Sequence, residues 1–157
     1  MILPTQHNLK LFIIPTSTPI LLGVYKGSEL LESFSLENKL SDSLLPKFRE
    51  IYKKYPKIDS LYFVRGPGSF MALKLIYIFA KTLEITKDFK LFGTHGFYFN
   101  QNSPIKAYGN SYFVFDKEIT LKNFQSTPKI QDYSLPQILD LSLFSSEIDP
   151  LYLLPAV

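Results

Sequence analysis

Leu61-Tyr-Phe-Val-Arg-Gly-Pro-Gly-Ser69, running on into Phe70 to Ile85, is the stretch whose reading decides the fold. Leu61 to Val64 is a short run of aromatic and branched residues, the composition of a strand covered on both faces. Gly66, Pro67 and Gly68 force a sharp turn, since glycine reaches backbone angles that other residues rarely adopt. Ser69 then stands where a helix N-cap belongs, its hydroxyl placed to accept from the first free backbone N–H groups. The pattern predicts strand, tight turn and helix.

That helix is too apolar for an ordinary surface element. At about 100° per residue, Lys74, Lys81 and Glu84 fall within an arc of about 80°. Most of the remaining circumference is Met71, Ala72, Leu73, Leu75, Ile76, Ile78, Phe79, Ala80, Leu83 and Ile85, interrupted by Thr82. A helix lying on a sheet needs an apolar stripe only a little wider than about 100°, and this one carries roughly twice that. Two buried faces are expected, one on a sheet and one under a second layer or another chain.

The rest of the chain supplies a sheet. Leu9 to Ile14 reads as a strand ended by Pro15; Thr16-Ser-Thr18 is a polar turn; Ile20 to Tyr25 is the returning strand; Lys26-Gly-Ser28 turns again into a third strand, Glu29 to Leu36. Ser43 is placed to cap a helix over Leu44 to Tyr55, with Pro46 in its first turn and Pro56 ending it. On it Leu44, Leu45, Phe48, Ile51, Tyr52 and Tyr55 fill an arc of about 120°, opposite Arg49, Glu50, Lys53 and Lys54. Lys57 to Ser60 links to the central strand, and Lys90 to Phe92 is a further strand leading into Gly93-Thr-His-Gly96. Three strands, then helix, strand, helix and strand describe a meander followed by crossovers: an α/β, mixed five-stranded sheet flanked by helices. That is the ribonuclease H-like layout, shared by one lobe of the actin-like ATPases.

Beyond residue 96 the pattern weakens. Asn100 to Pro104 reads as a loop, Tyr112 to Phe115 and Ile119 to Leu121 as a small hairpin, Ser126 to Tyr133 as polar and irregular. Leu135 to Phe144 is expected to be a short helix capped by Ser134, and Leu151 to Leu154 a closing extended segment. Residues 1–98 are therefore assigned to the lobe and 99–157 to a reduced second lobe.

Bulk properties exclude more than they identify. In 157 residues with 46% apolar content, no run approaches the roughly 20 apolar residues of a membrane span. The first apolar run, Leu11 to Ile14, is too short for a leader peptide. Cysteine is absent, which rules out disulfides and thiolate chemistry and fits a cytoplasmic protein. The net charge of +3, from 17 basic and 14 acidic residues, is too small and dispersed to mark a nucleic-acid surface. The densest basic group, Lys47, Arg49, Lys53, Lys54 and Lys57, reads as a solvated helix face. The only histidines, His7 and His95, stand in no metal-binding spacing, and His95 is a lone histidine in a glycine-flanked loop. No serine lies in G-x-S-x-G, and the Gly66–Ser69 turn lacks the ending of a phosphate-binding P-loop.

Several motifs, taken in order, resemble one family. Val64-Arg-Gly-Pro-Gly-Ser-Phe70 is similar to the G-R-G-P-G-S-F-T-G signature of the TsaB (YeaZ) family of the bacterial tRNA threonylcarbamoyladenosine machinery. Ser43-Leu-Leu-Pro46 resembles the L-L-P at the start of its first helix, Pro15-Thr-Ser-Thr18 its D-T-S-T turn, Leu91-Phe-Gly-Thr94 its strand into G-V-S-T, and Pro150-Leu-Tyr-Leu153 its terminal P-x-Y-L-R. Departures are also specific: Pro15 replaces the aspartate that holds a metal or its water in actin-like ATPases, Met71-Ala72 replaces Thr-Gly, and Lys106-Ala-Tyr108 is a remnant of D-A-R.

The resemblance implies a divergent, non-catalytic subunit with no catalytic residues, no metal site and no cofactor of its own. It implies docking to a TsaD-like catalytic subunit, joined by a TsaE-like ATPase, and homodimerisation when alone. Contact with tRNA would be indirect, through the complex, and contact with membrane absent. The implied interface uses Leu44, Leu45, Phe48, Tyr52, Phe70, Met71, Leu75 and Ile78. Thr16, Ser17, Thr18, Arg65, Gly66, Gly68 and Ser69 are the residues that would lie beside an anion, or beside ATP or ADP held at the partner interface. Two other readings remain: an interaction protein of the same fold that has lost the tRNA role, and a peptidase- or ATPase-like enzyme of the wider glycoprotease family.

Overall fold

The computed structural model describes residues 9–152. His7, Leu153 and Leu154 lie outside them. Strands β1 (Leu9–Ile14), β2 (Ile20–Lys26) and β3 (Glu29–Leu36) form an antiparallel meander, followed by α1 (Leu40–Lys54), β4 (Ile58–Val64), α2 (Phe70–Lys87) and β5 (Lys90–Thr94). The sheet order is β3-β2-β1-β4-β5, with β1, β4 and β5 parallel, so the expected mixed five-stranded sheet is present.

Alternation along the central strands divides the interior into two layers. Leu11, Ile13, Leu61 and Phe63 point to one face, where Leu40, Leu44, Phe48 and Ile51 of α1 and Ile76, Ala80 and Leu83 of α2 cover them. Phe12, Ile14, Tyr62 and Val64 point to the other, against Phe99 and Leu139 from later in the chain. Strand β4 is thus covered on both faces, as its composition predicts.

Helix α1 begins four residues before the expected start. Its N-cap is Lys39, and Ser43 lies inside the helix, donating its hydroxyl to the Lys39 carbonyl at 2.7 Å. Pro46 is an interior residue rather than a first-turn one. Leu40 explains the extension, because it places one more buried leucine a turn ahead of Leu44 on the same stripe. The carbonyl that Pro46 leaves unpaired is that of exposed Asp42, where water can serve it. Strand β4 likewise starts early, at Ile58, whose side chain is buried.

After β5 a single 3-10 turn, Gly96–Tyr98, leads to a second sheet of β6 (Ile105–Tyr108), β7 (Ser111–Asp116) and β8 (Glu118–Asn123) in that order. The β7–β8 hairpin matches expectation; β6 is not visible in the sequence, because its Lys106 and exposed Tyr108 obscure the pattern.

The expected helix at 135–144 does not form. Instead the chain runs extended across the second face of the five-stranded sheet. It bridges β3 at one edge, Ile138 opposite Glu29, and β5 at the other, Ser145 opposite Gly93. Four strand spacings make that crossing about 19 Å. Seven extended or 3-10 steps reach about 20 Å, whereas the same residues coiled as an α-helix would reach only about 10 Å. Leu139, 1% exposed, is driven into the aromatic layer on the way. The strap thereby pairs backbone at one point on each outer edge of the sheet.

At the β5 edge the fit is tight. Gly93 and Ser145 exchange both backbone hydrogen bonds at 2.9 and 3.0 Å. A Cβ at Gly93 would lie 2.6 Å from the Glu147 carbonyl oxygen and 3.0 Å from Arg65 Cδ. Gly93→Ala is expected to push the strap off this edge and to lower unfolding stability by about 1–3 kcal/mol in urea titrations; an unchanged midpoint would show that the strap does not hold there.

Candidate functional site

In open α/β sheets ligands bind beyond the carboxyl ends of the strands, where successive connections diverge. Here that point lies between β1, whose chain turns to β2, and β4, whose chain crosses through α2 to β5. The loops that meet there are Pro15 to Thr18, Arg65 to Ser69, and His95-Gly96. An open cleft of about 390 Å³ on the helix side brings Thr16, Ser17, Thr18 and Ser69 together with Ala72 and Leu75.

Several of these loop residues have local structural work. Ser17 is buried and donates to the Ile14 carbonyl at 3.0 Å, closing the end of β1. Ser69 caps α2, accepting from the Ala72 N–H at a long 3.5 Å. Gly66 has φ +133, a conformation reserved for glycine, and its missing side chain makes room for Leu151 and Leu73. Gly68 admits the Thr16 methyl, which would stand 2.6 Å from a Cβ.

Arg65 faces the strap rather than the cleft. It donates to the Asp149 carbonyl at 2.8 Å, lies 3.6 Å from the Glu147 carboxylate, and keeps its Nε buried without a partner. The main-chain Leu151 N–H returns to the Arg65 carbonyl at 2.9 Å.

His95, a lone loop histidine in the sequence, has a defined place in the structure. Its ring stacks on Tyr98 at 4.1 Å and meets Phe115 of β7 at 4.3 Å, tying the second sheet to the first lobe. Burial, reinforced by the Arg65 guanidinium, holds its pKa down at about 4 against an ordinary 6.5. An unfolded chain therefore takes up a proton before the folded one does. Stability is fully present above pH 6.5 and is lost as pH falls toward 4. With the ring about half buried, screening reduces the loss to about 1–2 kcal/mol. His95→Phe, which keeps the aromatic contacts, is expected to lose that much less between pH 7 and pH 4.5 in urea titrations; parallel losses in both proteins would show that the imidazole is not held neutral.

Tyr133 also escapes a sequence reading. It is the sole aromatic between Gln125 and Ser134, the one signal that this polar stretch returns to the core. Burial raises the pKa of its phenol, and its hydroxyl faces Thr16. Neither hydroxyl makes a well-formed hydrogen bond.

The two-helix face is divided. Leu44 and Phe48 belong to the core of the chain itself, and Leu75 is half buried against it. Leu45 is 49% exposed, Phe70 56%, Met71 64% and Ile78 50%, joined by Ile85 at 77%. The second apolar face expected of α2 is therefore in solvent. Beside it an apolar groove of about 360 Å³ runs between the helices, with Phe48, Tyr52, Phe79 and Leu83 in its walls.

Among the described residues no group of histidine, cysteine and acidic side chains is arranged to hold a metal, and no helix is long and apolar enough to cross a membrane. No family model matches the sequence, and no curated protein matches it. The fold is similar to that of YeaZ from Pseudomonas aeruginosa, with TM-score 0.58 and 14% identity over 82% of this chain and 70% of that one. It is also similar to an uncharacterised protein with similarity to peptidase YeaZ from Pseudomonas aeruginosa, with TM-score 0.55 and 14% identity over the same shares. In architecture, then, the chain is YeaZ-like: an α/β fold with a mixed five-stranded sheet flanked by helices.

Proposed function

We propose that this chain is a non-catalytic partner subunit of a tRNA threonylcarbamoyladenosine-forming complex in the cytoplasm. It docks a TsaD-like catalytic subunit through α1 and α2, and in the absence of that subunit pairs with a second copy of itself. The observation that carries this reading is the solvent-facing strip of Met71, Ile78 and Ile85 on α2, beside Leu45 of α1. Monomers rarely expose large contiguous apolar area, and an apolar centre with a polar rim is the usual anatomy of an interface. The Gly-Pro-Gly-Ser turn that launches α2 and the YeaZ-like fold support the same assignment.

The test is affinity capture of the tagged, full-length chain from its source cell. Recovery of a TsaD-like protein with the wild type, and its loss with Ile78→Glu, is the expected result. Capture that ignores the substitution would move the interface elsewhere, and the absence of any TsaD-like protein would favour an interaction module outside tRNA modification.

A further inference from the structure

The groove between α1 and α2 has a chemistry of its own. Phe48 and Leu83, both buried, form its floor, and the half-buried rings of Tyr52 and Phe79 stand in its walls. Thr82 and Thr86 also line it, but their hydroxyls are engaged on their own helix, donating to the Ile78 and Thr82 carbonyls at 2.8 and 2.7 Å. Backbone groups of the walls are bonded within the helices, so an extended segment laid in the groove would find no ladder to join. An occupant has to satisfy its own backbone, as a helix does.

The charged residues that line the groove are all basic: Arg49, Lys53 and Lys87. The Lys87 ammonium lies 4.7 Å from the Tyr52 ring centre. Arg49 and Lys53 are exposed and form no salt bridge among the described residues. By contrast Lys47, Lys54 and Lys81 on the same two helices each hold a glutamate. A second copy seated groove to groove would set these cations against their own likes, with no acidic side chain in the lining to relieve them.

We infer that this groove is a docking slot for an acidic amphipathic helix of a different chain, and that its cations disfavour a second copy in the same place. The inference rests on the reading of α1 and α2 as the partner face and adds the chemistry of the partner. The apolar side of the incoming helix lies between Tyr52 and Phe79, and its carboxylates meet Arg49, Lys53 and Lys87. Self-pairing is left to the strip of Met71, Ile78 and Ile85, with the groove cations opposing it.

The experiment uses the full-length chain and two synthetic peptides as probes. Both peptides are amphipathic helices of about 16 residues with leucines at i, i+3, i+4 and i+7; one carries glutamates beside them and the other lysines. Fluorescence anisotropy in about 50 mM NaCl is expected to show the glutamate peptide binding at least about tenfold more tightly than the lysine peptide. The double variant Arg49→Gln with Lys53→Gln should lose most of that preference. Glutamine is a good helix former and both positions are exposed, so this variant keeps its fold. The control, Lys106→Gln with Lys129→Gln, removes two exposed cations that do not line the groove and should keep the preference. In sedimentation velocity the Arg49→Gln, Lys53→Gln protein is expected to self-associate at least about threefold more tightly than the wild type at low salt. Equal affinity for the two peptides, an equal loss in both double variants, or self-association that the groove substitutions leave unchanged overturns the inference. Any of these outcomes, combined with self-association still lost on Ile78→Glu, leaves the two-helix interface standing and removes the acidic slot alone.

Discussion

Ile78→Glu is expected to weaken self-association, and association with a catalytic partner, by at least about 100-fold while leaving the chain folded. Ile78 is already half in solvent, so the folded monomer loses little apolar burial when it is replaced. Glutamate is at least as good a helix former as isoleucine, and on the free monomer it stays in water. Monomer stability should therefore move by no more than about 0.5 kcal/mol. In a complex the balance is different. The lost apolar contact is worth about 1 kcal/mol, and a carboxylate placed in an apolar interface without a partner costs about 2 kcal/mol or more. Together they reach about 3 kcal/mol, or roughly two decades in Kd. Sedimentation velocity of the isolated protein reads the homodimer directly. A folded Ile78→Glu protein that sediments as the wild type does would place the interface away from α2. Leu75 is the weaker choice for this test, because it packs against the core and its replacement confounds folding with binding.

The five-stranded sheet and its two helices were legible because their signals are local. The strand and helix around Gly66-Pro67-Gly68 announce themselves by composition and turn chemistry, and β3 falls on Glu29–Leu36, as read from alternation alone. The surplus apolar arc of α2 was visible as well. What the sequence did not separate is how the apolar arc of α1 divides: Leu44 and Phe48 share a stripe with Leu45 and Tyr52, and only the packing of Phe48 against Phe79 and Phe89 shows which side turns inward. Apart from the β7–β8 hairpin, residues beyond 98 were opaque for a different reason. Their structure is dictated by distant contacts, not by periodicity. The Ser134-Leu-Pro136 sequence has the chemistry of a helix start, yet the Pro136 carbonyl accepts the Tyr25 hydroxyl at 2.7 Å and Leu30 N–H bonds the Gln137 carbonyl at 3.0 Å. These partners lie at the far end of the chain, beyond the reach of a local reading. For the candidate site, the loops at the ends of β1 and β4 were recognised, whereas Tyr133, Glu147 and Asp149, which occupy and tie them, come from the segment with the weakest pattern.

Leu139→Ala should be the most destabilising single truncation in that segment, by about 2–5 kcal/mol. Leu139 is the one fully buried leucine of the strap, seated among Phe12, Tyr25, Tyr62 and Phe99 on the second face of the sheet. Its N–H also holds the Ser28 carbonyl at 2.8 Å, so backbone and side chain are fixed at the same point. Phe12, Tyr25 and Tyr62 are anchored on strands and cannot close the cavity without leaving their stacking partners, such as Phe12 on Phe99 at 4.8 Å. For a protein of this size the loss corresponds to a fall in Tm of roughly 5–15 °C. A structural strap and a loosely attached tail predict different outcomes. If the strap is a true second layer, Leu139→Ala exposes the aromatic face, and the protein binds a hydrophobic dye before it unfolds. If the segment were a tail resting on a core that is complete without it, the substitution would shift Tm by less than about 2 °C and leave dye binding unchanged. The first outcome would mean that the segment after β8 completes the second layer of the five-stranded sheet, while the exposed residues of α1 and α2 remain an apolar surface open to a partner.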